Sequence, residues 1–246
     1  MRTTEKTAGI LIVALMIWAV AMIAATNLQF QGSQSNRIMI VELGSDAATL
    51  RQAVQTDDKR DLTGLVRNTE LVIRNTQLDF SLILLYWLTF LSLSYLAGRL
   101  GKPFFAACSA IFITGAALAD VLENRAILSA MHIPKFTDQL AVDISELSEW
   151  KWAFFFLACL LLGLAIVLNH RVSSMRRMTG GIFIAAAVFG ILGLSRHRVS
   201  LEFTIWMIGF ANLLVTVALL MSLWKFYQSL KELNQIHEAH LEGVHA

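Results

Sequence analysis

Long apolar runs alternate with polar connections along this chain. Six runs approach the roughly 20 mostly apolar residues that a helix needs to cross a bilayer, and they lie at about 9–26, 78–97, 104–124, 152–169, 180–195 and 203–224. Such lengths favour helices, because a membrane-spanning strand needs only about 9 to 11 residues. The pattern predicts an all-α, polytopic membrane protein with six transmembrane helices, and with residues 1–246 as a single membrane domain.

Two runs have features of their own. The first follows Arg2 and Lys6, as a cleaved signal would, but its apolar length favours a retained anchor. The fifth is short and rich in glycine, a composition that favours close contact with a neighbouring helix.

The polar connections also contain helical patterns. Residues 27–76 are predicted to be partly helical, with Ser45 as the N-cap of a short helix and apolar residues at helical spacing further on. The acidic segment 133–149 is interpreted as a connection. The tail, 225–246, is predicted to be an amphipathic helix that leaves the membrane on the cytoplasmic side.

Composition agrees with a membrane protein. Hydrophobic residues make up 56% of the chain and charged residues 15%, against about 25% charged residues in soluble domains. The formal charge of +2 gives no indication of a nucleic-acid partner, so the lipid bilayer is the predicted partner. Cys108 and Cys159 lie in apolar runs, which favours buried thiols over a disulfide.

Positive charge near the spans predicts the orientation. Arg2 and Lys6 closely precede the first span, whereas Arg37 is the first basic residue after it. The positive-inside rule therefore places the N-terminus in the cytoplasm. With six spans, the C-terminus is also cytoplasmic and the loop 27–76 is not, although Arg196 and Arg198 oppose this orientation.

Polar residues within the spans fall on one side of the membrane. Asp120, Glu123 and Asn124 are spaced to share one helix face. Asp79 and Tyr86 share a face of the second span, with Tyr86 about 10 Å deeper. Ionisable residues in membranes usually face the bundle interior, find a partner and mark a function. These five residues are therefore predicted to converge in an acidic pocket near the non-cytoplasmic side.

Arg125 and Lys151 are the predicted ion-pair partners of this pocket. An alternative stays open for the residues at helix ends. Helix ends lie in the headgroup region, where a charged side chain can be hydrated or paired without any further role. This alternative interpretation stays open for Asp79, Glu123, Arg125 and Lys151.

Three segments resemble recurring motifs of an uncharacterised family of bacterial multi-pass membrane proteins. They are VELGSD at 41–46, QLDFSLILLY at 77–86 and ALADVLEN at 117–124, within the first half of the chain. Where the first motif usually reads FELA, this chain has Val41 and Gly44. The resemblance implies a bacterial inner-membrane location and no particular activity. It also implies one set of site residues: Glu42, Asp79, Tyr86, Asp120, Glu123 and Asn124.

No catalytic or metal-binding motif is present in the sequence. The segment IHEAH at 236–240 has its histidines three residues apart, whereas the zinc-protease motif needs four. His237, His240 and His245 are therefore interpreted as a solvated tail. No metal and no cofactor is predicted.

Three classes of function remain open. The first is a protein whose acidic pocket binds or transports a cation, a proton or a small polar ligand, with Tyr86 and Asn124 orienting it. The second is a structural or accessory membrane subunit whose polar residues fix helix packing. The third is an intramembrane enzyme acting on a lipid or lipid-linked substrate, with carboxylates as general acid and base. The first class is favoured. The enzyme is the least favoured because no nucleophile is evident, and the sequence leaves the oligomeric state open.

Overall fold

The computed structural model describes residues 7–15, 17–18, 37–54, 62–99, 102–132, 136–169, 172–197 and 199–244. All regular structure in these ranges is helical. Residues 7–15 and 17–18 are helical, and the later ranges form seven helices: α1 Arg37–Leu43, α2 Ala47–Val54, α3 Leu62–Arg99, α4 Pro103–Met131, α5 Asp138–Val167, α6 Ser174–Ser195 and α7 Leu201–Val244.

Five helices are long and apolar enough to cross a membrane: Val66–Arg99, Pro103–Met131, Asp138–Val167, Ser174–Ser195 and Leu201–Lys225. The chain is therefore a multi-pass membrane protein. Five of the six predicted spans are confirmed as apolar helices, and most of the remaining one, 9–26, lies outside the described residues. Consecutive helices from α3 to α7 pack against each other, as expected for antiparallel neighbours joined by short connections.

Two helices begin well before the predicted spans. The amphipathic segment after residue 62 and the second span form one helix, α3. The interpretation of 133–149 as a connection is wrong, because α5 begins at Asp138. The Thr137 hydroxyl oxygen accepts the backbone N–H of Leu140 at 3.3 Å and caps this helix. Small or apolar residues line its buried face, among them Ala141, Ile144, Ser145 and Ser148.

Helix α3 is longer than a single membrane crossing requires. With 38 residues, α3 is about 57 Å long at 1.5 Å per residue, whereas the hydrocarbon core of a bilayer is about 30 Å thick. The main apolar cluster fills the bundle around Phe90, Phe156 and Phe183. A second apolar cluster joins α1 and α2 to the extended ends of α3, α4 and α5 through Val41, Leu50, Val72, Ile127 and Ile144. We call α1 and α2 the cap.

The predicted short helix after residue 45 is present as α2, but Asp46 caps it instead of Ser45. The two carboxylate oxygens of Asp46 accept the backbone N–H and the hydroxyl of Thr49, each at 2.8 Å. These hydrogen bonds favour the ionised carboxylate and lower the pKa of Asp46. The N–H of Ala47 donates to Asp138 Oδ1 at 2.9 Å, so the beginning of α2 is tied to the beginning of α5.

Glycines bring α6 into backbone contact with α5, as its composition predicted. A Cβ added to Gly180 would lie 2.9 Å from the carbonyl oxygen of Gly163, and one added to Gly163 would lie 2.6 Å from the carbonyl oxygen of Gly180. Both distances are too short for a carbon atom. The next residue, Gly181, faces open space.

These neighbouring glycines provide a matched pair of variants. Gly180→Ala must push α5 and α6 apart, and we expect it to lower the free energy of unfolding by about 1 to 3 kcal/mol. Gly181→Ala should be neutral or stabilising by up to about 1 kcal/mol, because alanine restricts the unfolded chain without a clash. Thermal unfolding in detergent compares the two, and equal stability would contradict the close approach.

Candidate functional site

A lysine ammonium lies among carboxylates from two other helices. Nζ of Lys151, on α5, is 3.0 Å from Oε2 of Glu42 on α1. It is 2.5 Å from Oε2 of Glu123 and 3.5 Å from Oδ1 of Asp120, both on α4. A lysine ammonium has three N–H donors and no acceptor, so three carboxylates match its capacity. Glu123 is fully buried and Lys151 is 6% exposed.

Two hydrogen bonds connect α3 to the same group. The Tyr86 hydroxyl donates to Oδ2 of Asp120 at 3.0 Å, and the Asn124 amide donates to Oδ2 of Asp79 at 2.9 Å. The structure therefore brings together the five residues predicted to converge, together with Glu42, which the resemblance implied, and Lys151, one of the two predicted ion-pair partners. We call this set the acidic cluster: Glu42, Asp79, Tyr86, Asp120, Glu123, Asn124 and Lys151.

The two predicted ion-pair partners differ in position. Lys151 was expected at the start of a span, but α5 begins at Asp138, so Lys151 lies in the interior of a helix and its side chain is buried. Arg125 is exposed and forms no ion pair with a described residue. At 100° per residue it lies about 140° around α4 from Asp120, so it is directed away from the cluster. The predicted pairing of Arg125 is therefore not observed.

The acidic cluster lies between the two apolar clusters. Along α3, Asp79 separates Val72 from Phe90, and along α5, Lys151 separates Ile144 from Phe156. Arg99, at the far end of α3, lies 20 positions after Asp79, a rise of about 30 Å, which is close to the thickness of the hydrocarbon core. The cluster thus lies at one edge of the apolar core, beneath the cap.

Several buried polar atoms near Lys151 have no hydrogen-bond partner among the described residues. They include Oε1 of Glu123, Oγ of Ser148 and Nε1 of Trp152. Ser148 and Trp152 belong to the helix turns around Lys151, whose ammonium lies 5.1 Å from the centre of the Trp152 ring. Buried polar groups normally find a partner in the protein or in ordered water. This mixture of donors and acceptors suits water or another small polar species.

Sequence reasoning missed His197, which lies in the turn between α6 and α7 and is 7% exposed. Its Nδ1 is 2.6 Å from Oε1 of Glu149, and its Nε2 is 2.7 Å from the carbonyl oxygen of Leu43. The sequence presents this histidine between Arg196 and Arg198 at the end of the fifth span, where the positive charges indicate only a membrane boundary and an orientation. Its partners are 48 and 154 residues away, and a turn has no periodicity that would mark a buried face.

In the part of the chain that the structure describes, no three His, Cys, Asp or Glu side chains are arranged to hold a metal ion. The side chains of His237, His240 and His245 lie outside that part. Cys108 and Cys159 are free thiols, as predicted. No family model, curated protein or solved structure matches the chain.

Removing the ammonium group tests its place in the cluster. We expect Lys151→Ala to lower the free energy of unfolding at neutral pH by about 3 to 5 kcal/mol, because it leaves buried carboxylates without their cation. Propylammonium replaces the atoms that this substitution deletes, so it should restore part of the loss. Thermal unfolding in detergent, with and without propylammonium, measures both effects.

Arg125→Ala is the control, because it removes an exposed basic side chain of comparable size from α4. It should change stability by no more than about 0.5 kcal/mol and show no response to propylammonium. If Lys151→Ala behaved like Arg125→Ala, the ammonium would not be holding the carboxylates together.

Proposed function

We propose that this multi-pass membrane protein binds and releases protons at the acidic cluster, as the binding step of a proton-linked transport or sensing process. The observation that supports this most is the ratio of charges. Among the described residues, three carboxylates lie within 3.5 Å of one ammonium group, and a fourth, Asp79, is bound to Asn124 of the same cluster. In this proposal the cap side is the non-cytoplasmic side, as Arg2 and Lys6 predict.

The charge ratio favours bound protons over full ionisation. If all four carboxyl groups were ionised, the cluster would carry three net negative charges. Two like charges 4 Å apart repel by about 4 kcal/mol at an effective dielectric constant of 20, and burial adds a further cost for each unpaired charge. Protonating an ordinary carboxyl group at neutral pH costs about 4 kcal/mol, because its usual pKa lies about three units lower. We infer that the cluster holds at least one such proton at neutral pH.

Glu123 is the proposed carrier of this proton. It is fully buried, and its Oε1 atom has no hydrogen-bond partner in the described chain. Asp79 and Glu42 are partly exposed, so they are the first carboxyl groups that a proton from the cap side would meet. Tyr86 and Asn124 each donate one hydrogen bond to an aspartate, which stabilises the ionised form of that aspartate while the proton resides elsewhere.

A structural subunit is the second candidate, and the ion pairs of Lys151 favour it. An ammonium group that binds α1 and α4 fixes the packing of three helices without any further role. That role does not need surplus carboxylates, because unpaired buried charge reduces stability. The surplus is the reason for placing proton binding first.

The pH dependence of stability separates these candidates. A folded state that holds more protons than the unfolded chain becomes less stable as pH rises, by about 1.4 kcal/mol per pH unit for each extra proton. We expect wild-type stability to fall with this sign between pH 5 and 8. Asp120→Asn keeps an acceptor for Tyr86 and removes one negative charge. The slope of its stability against pH should therefore be shallower than that of the wild type, by up to about 1.4 kcal/mol per pH unit.

Glu146→Gln is the matched control, since Glu146 is an exposed carboxylate on α5, and its slope should equal that of the wild type. Thermal unfolding in detergent across the same pH range measures all three proteins. Identical slopes for wild type and Asp120→Asn would exclude the surplus proton and leave the structural role.

A further inference from the structure

We propose that His197 is a positioning residue whose protonated side chain holds α1 over the acidic cluster. The importance of this contact for function rests on the proposed proton binding, but the contact itself does not. His197 joins three parts of the fold: the α6–α7 turn, α5 through Glu149, and α1 through the backbone of Leu43.

The surroundings of the ring require two protons. A backbone carbonyl oxygen accepts hydrogen bonds and never donates, so Nε2 of His197 carries a hydrogen that it donates to Leu43. The 2.6 Å contact between Nδ1 and Glu149 needs a second hydrogen. Both ring nitrogens thus face oxygen atoms, at 2.6 and 2.7 Å. The second proton therefore belongs to the ring, as an imidazolium between a carboxylate and a carbonyl.

Two adjacent residues of α1 connect this contact to the cluster. The side chain of Glu42 accepts a hydrogen bond from Lys151 at 3.0 Å, while the carbonyl group of Leu43 binds His197. With seven residues, α1 is too short to be stable on its own and depends on such contacts. Loss of the Leu43 contact should therefore also weaken the ion pair between Glu42 and Lys151.

The charged groups on the neighbouring elements have separate environments. Glu149 of α5 pairs with His197, and Glu42 of α1 pairs with Lys151. Arg196 in the same turn and Glu202 at the start of α7 are exposed. His197 is thus the group at this junction whose two ring nitrogens each bind a different acceptor.

An imidazolium that loses one proton becomes a neutral imidazole. A neutral imidazole has one N–H, so it cannot donate to both the Glu149 carboxylate and the Leu43 carbonyl. A neutral ring that keeps its N–H at Nδ1, next to the Glu149 carboxylate, loses the hydrogen bond to Leu43, so α1 is then held less firmly. Acid pH would then close the cap over a protonated cluster, and alkaline pH would open the cluster to the cap side.

The exposure of α1 tests this proposal directly. Val41 on α1 is 1% exposed, and Val54 on α2 in the same apolar cluster is 3% exposed. Val41→Cys and Val54→Cys are made separately in a protein whose Cys108 and Cys159 are replaced by alanine, and both are labelled with a maleimide in detergent. The ratio of the two labelling rates removes the general effect of pH on thiol reactivity. We expect this ratio to rise about tenfold from pH 5.5 to 8, as a charged hydrogen bond is lost.

Variants of the contact complete the experiment. His197→Gln has no titrating ring, so the ratio should not change with pH. Glu149→Gln removes the carboxylate that favours the imidazolium, so the labelling ratio should begin to rise at a lower pH than in the wild type. This variant provides a second test if His197→Gln does not fold. Glu146→Gln should keep the wild-type rise, because Glu146 is an exposed carboxylate on α5 that belongs neither to the acidic cluster nor to the His197 contacts. A wild-type ratio that is constant with pH, or a rise that persists in His197→Gln, would overturn the proposal, whether or not the cluster binds protons.

Discussion

The ammonium group of Lys151 connects the helices on which the site depends. It contacts carboxylates from α1 and α4, and α3 joins through Tyr86 and Asp79. Burying an ion costs several kcal/mol unless nearby partners compensate for the lost hydration. The residues around Lys151 supply that compensation, so the positions of these four helices and the charge state of the cluster depend on each other.

The surplus of carboxylates distinguishes this cluster from an ordinary buried ion pair. One carboxylate would balance Lys151, and each additional one is unfavourable in a poorly solvated place unless it takes up a proton. The location is consistent with exchange, because the cluster lies between the apolar core of the bundle and the cap. Helix α1 contacts the cluster through Glu42, and His197 joins that helix to α5 and to the α6–α7 turn.

Much of the fold and part of the site could be predicted from sequence, because they depend on periodicity within one helix. Apolar length identified the spans, and the spacing of Asp120, Glu123 and Asn124 placed them on one face. The beginning of α5 was not predicted, because it depends on contacts between distant segments. The buried face of early α5 is made of small residues such as Ala141 and Ser145, which give little hydrophobic signal, so the depth of Lys151 was underestimated.

Single residues show the same limit. The closeness of Arg125 to Asp120 and Glu123 in sequence predicts an ion pair. Arg125 directly follows Asn124, however, and the 100° turn between successive helical residues directs its side chain away from the cluster. Glu42 was implied by resemblance, and no periodicity placed its seven-residue helix above Lys151. His197 lies in a turn, and its role follows entirely from Glu149 and Leu43, which no local pattern connects to it.

Infrared spectroscopy tests most directly whether the surplus carboxylates hold a proton. A protonated carboxyl group has a C=O stretching band that an ionised carboxylate lacks, and this band shifts in deuterated water. For the protein in lipid at pH 7, we predict such a band in the wild type and in the exposed-site control Glu146→Gln, and a weaker band in Glu123→Gln. A wild-type protein without the band, or a Glu123→Gln protein with an undiminished one, would contradict the account.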